Sequence, residues 1–132
     1  MAVKNFISLV TLAGANEQAN ASSLTVTTTG TSREYRELGN YQRAILFLDV
    51  SAASGTTPSL TVALQVQDPV SQKWSSVATF TAQSAATGGT PIPPVVVELY
   101  GLNYRTSWTV SGGTPSFTFS FGAVAGSEEP LI

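Results

Sequence analysis

Hydrophobic and polar residues alternate along much of the chain with a period of two. In residues 59–67, leucine and valine occupy every second position, and threonine, alanine and glutamine lie between them. Successive side chains of a β-strand point to opposite faces, so this pattern predicts a strand with one buried face. Residues 116–124 repeat the pattern with three inward phenylalanines. Residues 102–110 repeat it with one face made of Leu102, Tyr104, Thr106, Trp108 and Val110.

Other segments are also typical of strands but alternate less cleanly. Residues 44–50 are apolar at nearly every position, which predicts a central strand covered on both faces. Residues 73–81 predict a strand interrupted by a bulge. Residues 95–100, 6–12 and 24–28 complete a predicted total of about eight strands. No long window has a helical stripe, and residues 13–21 are expected to form at most one helical turn.

A short internal repeat punctuates the strands. The sequence Ser-Gly-Thr-Thr-Pro-Ser at residues 54–59 recurs as Ser-Gly-Gly-Thr-Pro-Ser at residues 111–116, and each copy continues into alternating apolar and polar residues. Glycine tolerates positive φ and proline restricts the start of a strand, so each copy is predicted to be the turn of a β-hairpin. Duplication of a half-domain and convergence on a favourable turn both explain the repeat.

These elements predict an all-β fold, a single antiparallel β-sandwich of about eight strands with a jelly-roll-like arrangement. A length of 132 residues is that of one domain. Within it, residues 1–40 are expected to form an N-terminal arm and the first strands, residues 41–125 the sandwich core, and residues 126–132 a C-terminal tail. The loop at residues 83–94 is long and rich in proline and small residues.

Composition removes several classes of function. The chain has 6 basic and 8 acidic residues, no His and no Cys. Disulfides, zinc fingers, thiol catalysis and Ser-His-Asp triads are therefore excluded. A net charge of −2 argues against nucleic acid as a partner, since phosphate binding needs clustered Lys and Arg. No apolar run approaches the roughly 20 residues of a membrane span, so a membrane partner is not expected.

The scattered carboxylates do not predict an active site. Asp49, Asp68 and Glu98 are the only acids between positions 41 and 126. Asp68 is predicted to accept hydrogen bonds within a turn. Asp49 and Glu98 are predicted to face outwards or to pair with Arg43 or Arg105 on neighbouring strands. Because no calcium-loop spacing is present either, we expect a protein without enzymatic activity, metal or cofactor.

One charged segment is a candidate for protein contact. Five of the 14 charges fall within residues 33–43, interleaved with tyrosines. The segment is either a solvated edge strand protected by its charges or a contact surface, since Tyr and Arg are enriched at interfaces. The C-terminal residues are either a frayed end or an arm that contacts a neighbouring subunit. The candidate contact residues are Phe6, Arg33, Tyr35, Arg36, Tyr41, Arg43, Leu131 and Ile132.

Aromatic residues offer a further alternative, a site that stacks on sugars. Tyr104 and Trp108 share the apolar face of their predicted strand and are expected in the core. Trp74 and Tyr100 adjoin turns and are expected to be more exposed. The aromatic density is low for a dedicated saccharide platform, so carbohydrate is a weakly supported partner.

Three stretches resemble small structural proteins of tailed bacteriophages: residues 44–62, the continuation 65–74, and residues 104–119. The resemblance spans residues 41–124 and consists of strand and turn patterns. It implies a virion component, a capsid decoration (cement) protein that binds the major capsid protein, commonly as a homotrimer, on the outer surface of a head assembled in the host cytoplasm. Alternatives are a tail or head–tail connector subunit and a carbohydrate- or receptor-binding module.

Overall fold

The computed structural model describes residues 3–12 and 22–127, which form a curled antiparallel sheet of seven strands. The strands are β1 (Val3–Ser8), β2 (Leu24–Val26), β3 (Gly30–Tyr35), β4 (Arg43–Gln67), β5 (Trp74–Thr79), β6 (Val95–Glu98) and β7 (Tyr104–Ser127). A short 3-10 helix, Arg36–Asn40, connects β3 to β4. The all-β prediction is confirmed for the described residues, which contain no α-helix. Residues 13–21, where one helical turn was expected, lie outside them.

Two very long strands organise the sheet. β4 has 25 residues and β7 has 24, and they pair with each other along almost their whole length. A straight strand of 25 residues would span about 80 Å, roughly twice the width of a domain of this size. The strands therefore bend. Trp108 and Phe119 lie on the same strand 11 positions apart, yet their ring centroids are only 6.0 Å apart.

The bend coincides with the internal repeat. Its two copies pair with each other, Ser54 with Ser116 and Ser59 with Ser111, with register shifts between them. Gly55, Thr57, Gly112 and Thr114 have positive φ. The prediction of two hairpin turns is therefore wrong: the same Gly and Thr conformations bend two continuous strands instead of reversing each one.

The bend divides the sheet into two halves. The first, the β1/β6 half, has the order β1-β7-β4-β6; the second, the β3/β5 half, has the order β3-β7-β4-β5. Leu9 links them, because its N–H donates to the Phe121 carbonyl and its own carbonyl accepts from the Thr106 hydroxyl. The buried hydrophobic side chains form one core cluster to which both halves contribute. Its largest fully buried side chains are Tyr35, Tyr104, Phe117, Phe119, Phe121, Leu9, Leu38, Leu46, Leu60 and Leu64.

Several predicted strands are confirmed, but some of their bounds and buried positions differ. Leu60, Val62 and Leu64 are buried as predicted, and so are the three phenylalanines of residues 116–124. The predicted bulge in residues 73–81 is confirmed as a register shift in the pairing of β4 with β5. Leu102, however, precedes β7 and is 66% exposed. β3 was not predicted as a distinct strand within the charged segment.

Candidate protein-contact surface

The outer side of the β1/β6 half carries an exposed apolar row. Phe6 of β1 pairs with Val124 of β7, Val124 with Ile45 of β4, and Ile45 with Val96 of β6. Four apolar side chains thus lie side by side across four strands, facing away from the core. Phe6 is 66% exposed and Val96 is 62% exposed, while Ile45 and Val124 fill the middle.

The next row on the same side continues this surface. Phe47 is 45% exposed and pairs with Gly122 of β7. A Cβ at Gly122 would lie 2.8 Å from the Phe6 ring, so the glycine makes room for that ring beside β7. We call the outward side chains of Phe6, Ile45, Phe47, Val96 and Val124 the apolar face.

The apolar face corrects the prediction for residues 44–50. Ala44, Leu46, Leu48 and Val50 are buried, but Ile45 and Phe47 are exposed, so the strand is covered on one face only. The sequence contained one signal of this parity: Asp49 shares the outward side with Ile45 and Phe47, and it is exposed as expected.

Charged residues border the apolar face at one end. The row there consists of Lys4, Gly126, Arg43 and Glu98 in register across the same four strands. The Arg43 Nε donates to Glu98 Oε1 at 3.0 Å, which confirms the predicted cross-strand pair. Nearby, the Asn5 amide donates to the Tyr41 hydroxyl at 3.1 Å.

The predicted contact residues do not all lie at the surface. Phe6, Arg36 and Arg43 are exposed and Tyr41 is half-buried. Tyr35 is fully buried and Arg33 is 8% exposed, so neither side chain lies at the surface. Leu131 and Ile132 lie outside the described residues.

Arg33 and Tyr35 are held inside by each other and by Glu37. The Arg33 guanidinium lies 4.0 Å from the Tyr35 ring centroid and donates to Glu37 Oε2 at 2.9 Å. Burial raises the pKa of the Tyr35 hydroxyl, which accepts from the Thr11 N–H. Partial burial opposes ionisation of Glu37, but its hydrogen bond with Arg33 and the charge of Arg33 leave its pKa below the usual value. Arg33 and Tyr35 are therefore buried in this cluster, whereas the Glu37 side chain remains 44% exposed.

A polar row crosses the outer side of the β3/β5 half. Glu34, Arg105 and Gln65 occupy one row across β3, β7 and β4, and Arg105 donates to Gln65 Oε1 at 2.8 Å. Asn103, just before β7, donates from Nδ2 to Glu34 at 2.6 Å and to Gln67 at 3.0 Å. We call these five side chains the polar face.

The aromatic residues considered for a saccharide site differ in exposure. Tyr104 and Trp108 are buried, as predicted, and Tyr100 is 89% exposed. Trp74 is half-buried, and the Arg105 guanidinium lies 4.3 Å from its ring centroid. Burial lowers the pKa of Arg105. One side of the Trp74 ring is thus already occupied by a side chain of the protein.

The three central carboxylates have separate surroundings. Asp68 accepts hydrogen bonds from the Val70 and Ser71 N–H groups, which lower its pKa and confirm the predicted turn. Within residues 3–12 and 22–127, no group of three or more acidic, His or Cys side chains could hold a metal ion. The same residues include no helix long and apolar enough to cross a lipid bilayer.

Sequence comparison adds no relative. The chain matches no protein-family model, and it has no significant similarity to a curated protein.

Proposed function

We propose that this protein is a non-enzymatic structural component of a virion, a decoration protein that binds the outer shell of a tailed-phage head. Its partner is then the major capsid protein, and its place is the capsid surface of particles assembled in the host cytoplasm. The phage assignment rests on the resemblance of residues 41–124. The protein–protein contact role rests on the apolar face.

The apolar face is the observation that carries a contact role. Single exposed apolar residues are ordinary on protein surfaces, but a contiguous apolar patch with a polar border is typical of interaction sites. Here Phe6, Ile45 and Phe47 project from paired β-strands, so little backbone conformational entropy is lost when a partner covers them. A cement protein needs such surfaces because it stabilises an assembled shell by binding only the assembled state.

The fold suits this role in one further respect. We propose that the two half-sheets amount to a jelly-roll-like sandwich, with the bend at Gly55 and Gly112 as the point where both long strands pass from one layer to the other. In support, the inner faces meet through the Trp108 and Phe119 rings. A scaffold of this kind keeps its outer faces fixed relative to each other.

The test is an electron-microscopy map of intact particles of the phage that encodes the chain. We expect density for this protein over the joints of the head shell. Density in the tail or at the head–tail vertex would reject decoration in favour of a tail or connector subunit, and particles without the protein would reject a virion role.

The contribution of the apolar face is measured by copy number on purified heads. Phe47→Ser is expected to reduce the bound copies at least severalfold. The control is Val70→Ser, which alters a 91% exposed residue in the turn between β4 and β5 and should leave occupancy unchanged. Equal occupancy of both variants would remove the apolar face from the proposal.

A further inference from the structure

We propose that a second copy of this chain covers the apolar face, in a face-to-face pair related by a two-fold axis parallel to the strands, between β4 and β7. This inference rests on the proposed function only in taking the apolar face to be a contact surface. It adds the partner, its orientation and its stoichiometry.

The registered rows carry the argument. A two-fold axis in that position places β4 of one subunit opposite β7 of the other, and β6 opposite β1. Each row of residues therefore lies opposite the same row of the partner subunit, with the order of the strands reversed. In the central row, Phe6 would oppose Val96 of the partner subunit, and Val124 would oppose Ile45 of the partner subunit. Every apolar residue of this row therefore meets an apolar residue, as an isologous interface requires.

Phe47 and Gly122 also meet under the same operation. Phe47 is the largest side chain of its row, and its paired residue on β7 is Gly122. The axis places Phe47 opposite Gly122 of the partner subunit, a position over which the ring of Phe6 of the partner subunit lies. Aromatic side chains of the two copies would therefore contact each other at this point.

Charge is complementary at the end of the face. Lys4 and Glu98 occupy the outer strands of the charged row, with Gly126 and Arg43 between them. Exchange of β1 with β6 places Lys4 opposite Glu98 of the partner subunit, and the reverse pair forms at the same time. Glu98 already accepts from Arg43 in its own chain, so it would join two cations of different subunits.

The extent of the face predicts a modest affinity. An aromatic side chain contributes roughly 150–250 Å² when fully buried, and Phe6 and Phe47 expose 66% and 45% of their surface. With the three aliphatic residues, each copy offers an apolar area on the order of 400 Å². The pair would bury about 800 Å² of apolar surface in total, which is less than the roughly 1,200–2,000 Å² of stable interfaces and within the range of weak, transient ones. We therefore expect pairing that depends on protein concentration.

Two copies joined in this way would also attach to a shell more firmly than one. If each copy also binds the shell through a surface outside the apolar face, binding of the first copy makes binding of the second intramolecular, which raises the overall affinity. Loss of the pair would thus lower occupancy on the shell even where the apolar face does not touch the capsid protein.

The test is the mass of the purified full chain in solution, measured by sedimentation equilibrium over a wide range of concentration. We expect the mass to rise from one to two copies. Phe47→Ser should remain a single copy throughout, and the control Val70→Ser should pair like the parent. Circular dichroism of each variant verifies that the fold is retained.

A charge cycle tests the orientation. Lys4→Glu and Glu98→Lys are each expected to weaken pairing severalfold, and the double variant should recover a large part of the loss because the opposed charges are then exchanged. Two single losses that simply add would reject the proposed axis.

Other outcomes separate this inference from the proposed function. A single copy at every concentration would overturn the pair, and if that protein still decorated heads, decoration would stand alone. A three-copy mass would overturn the two-fold axis in favour of the homotrimer that the resemblance implies. A two-copy mass in solution without binding to phage heads would support the pair and reject the proposed decoration of the capsid.

Discussion

The two outer faces of the sheet differ sharply, although the same two strands supply the centre of both. On the β1/β6 half, β4 and β7 present Ile45 and Val124 to solvent; on the β3/β5 half they present Gln65 and Arg105. The inner faces are alike, since both are packed with large apolar side chains. Only the outer faces distinguish the halves.

The polar face forms most of its hydrogen bonds within the chain. Asn103 joins Glu34 to Gln67, and Arg105 contacts both Gln65 and the Trp74 ring. These bonds lie within one chain, so the β3/β5 half needs no partner to complete them. On the apolar face, Phe6 and Val96 are 66% and 62% exposed within the described part of the chain, and covering such side chains is favourable by roughly 25 cal/mol per Å² of apolar area. The difference shows which half gains from association.

The largest expected effect comes from the core that both halves share. Phe119→Ala removes a fully buried ring that packs edge-on against Trp108 across the bend. Loss of the ring and the resulting cavity should lower the free energy of unfolding by about 3–5 kcal/mol. Urea denaturation monitored by Trp fluorescence measures it.

The matched control is the same substitution on the apolar face. Phe6→Ala changes a 66% exposed ring and should alter the stability of the single copy by about 0.5 kcal/mol or less. Comparable losses for the two variants would mean that the outer face is packed like the core, and the contrast between inside and outside would fail.

The bend is the next most sensitive position. Gly112 has a φ of +119°, and a Cβ there would lie 2.8 Å from the Thr57 carbonyl oxygen. Gly112→Ala should therefore cost about 1–3 kcal/mol in the free energy of unfolding, from backbone strain and the close contact. Thermal denaturation would show a lower midpoint.

Gly89→Ala is the control for the bend, because a Cβ at Gly89 meets no atom within 4 Å. Its melting temperature should stay close to that of the parent. If Gly112→Ala were equally harmless, the two halves would be joined by a more adaptable segment than the paired repeats indicate, and their outer faces would not be held in one arrangement.

Alternation predicted most of the strands, but neither β3 nor the bend. Residues 59–67 and 116–124 were predicted because one face of each is buried, and burial imposes a period of two. The repeated Ser-Gly-Thr-Pro segments need positive φ in a hairpin and in a bent strand alike. What separates the two is the pairing of Ser54 with Ser116, a long-range contact that local sequence does not encode.

The candidate surface was only partly predictable for a similar reason. Phe6 and Arg43 were proposed as contact residues, whereas Ile45 and Phe47 were assigned to a strand covered on both faces. An apolar run predicts burial, but whether a second layer covers the strand depends on where distant strands pack. Arg33 is the opposite case. Its charge predicted an exposed side chain, but its contacts with Glu37 and Tyr35 keep it buried.

The smallest expected effect on stability concerns the side-chain amide of Asn103 in the polar face. Asn103 is buried, and its Nδ2 donates two hydrogen bonds, but its Oδ1 has no partner within the part of the chain that the structure describes. Asn103→Ala would lose both bonds, yet it would also remove an unsatisfied acceptor. The two effects oppose each other, so the net loss of stability should be about 1 kcal/mol.

Asn5→Ala makes the same change beside the apolar face, where the amide donates a single exposed hydrogen bond to the Tyr41 hydroxyl. Its cost should be about half a kcal/mol or less, because water replaces an exposed partner. Paired urea titrations of the two variants therefore compare the halves directly. A larger loss for Asn5→Ala would contradict the comparison, since an exposed polar contact of the β1/β6 half would then contribute more than the buried amide of the β3/β5 half.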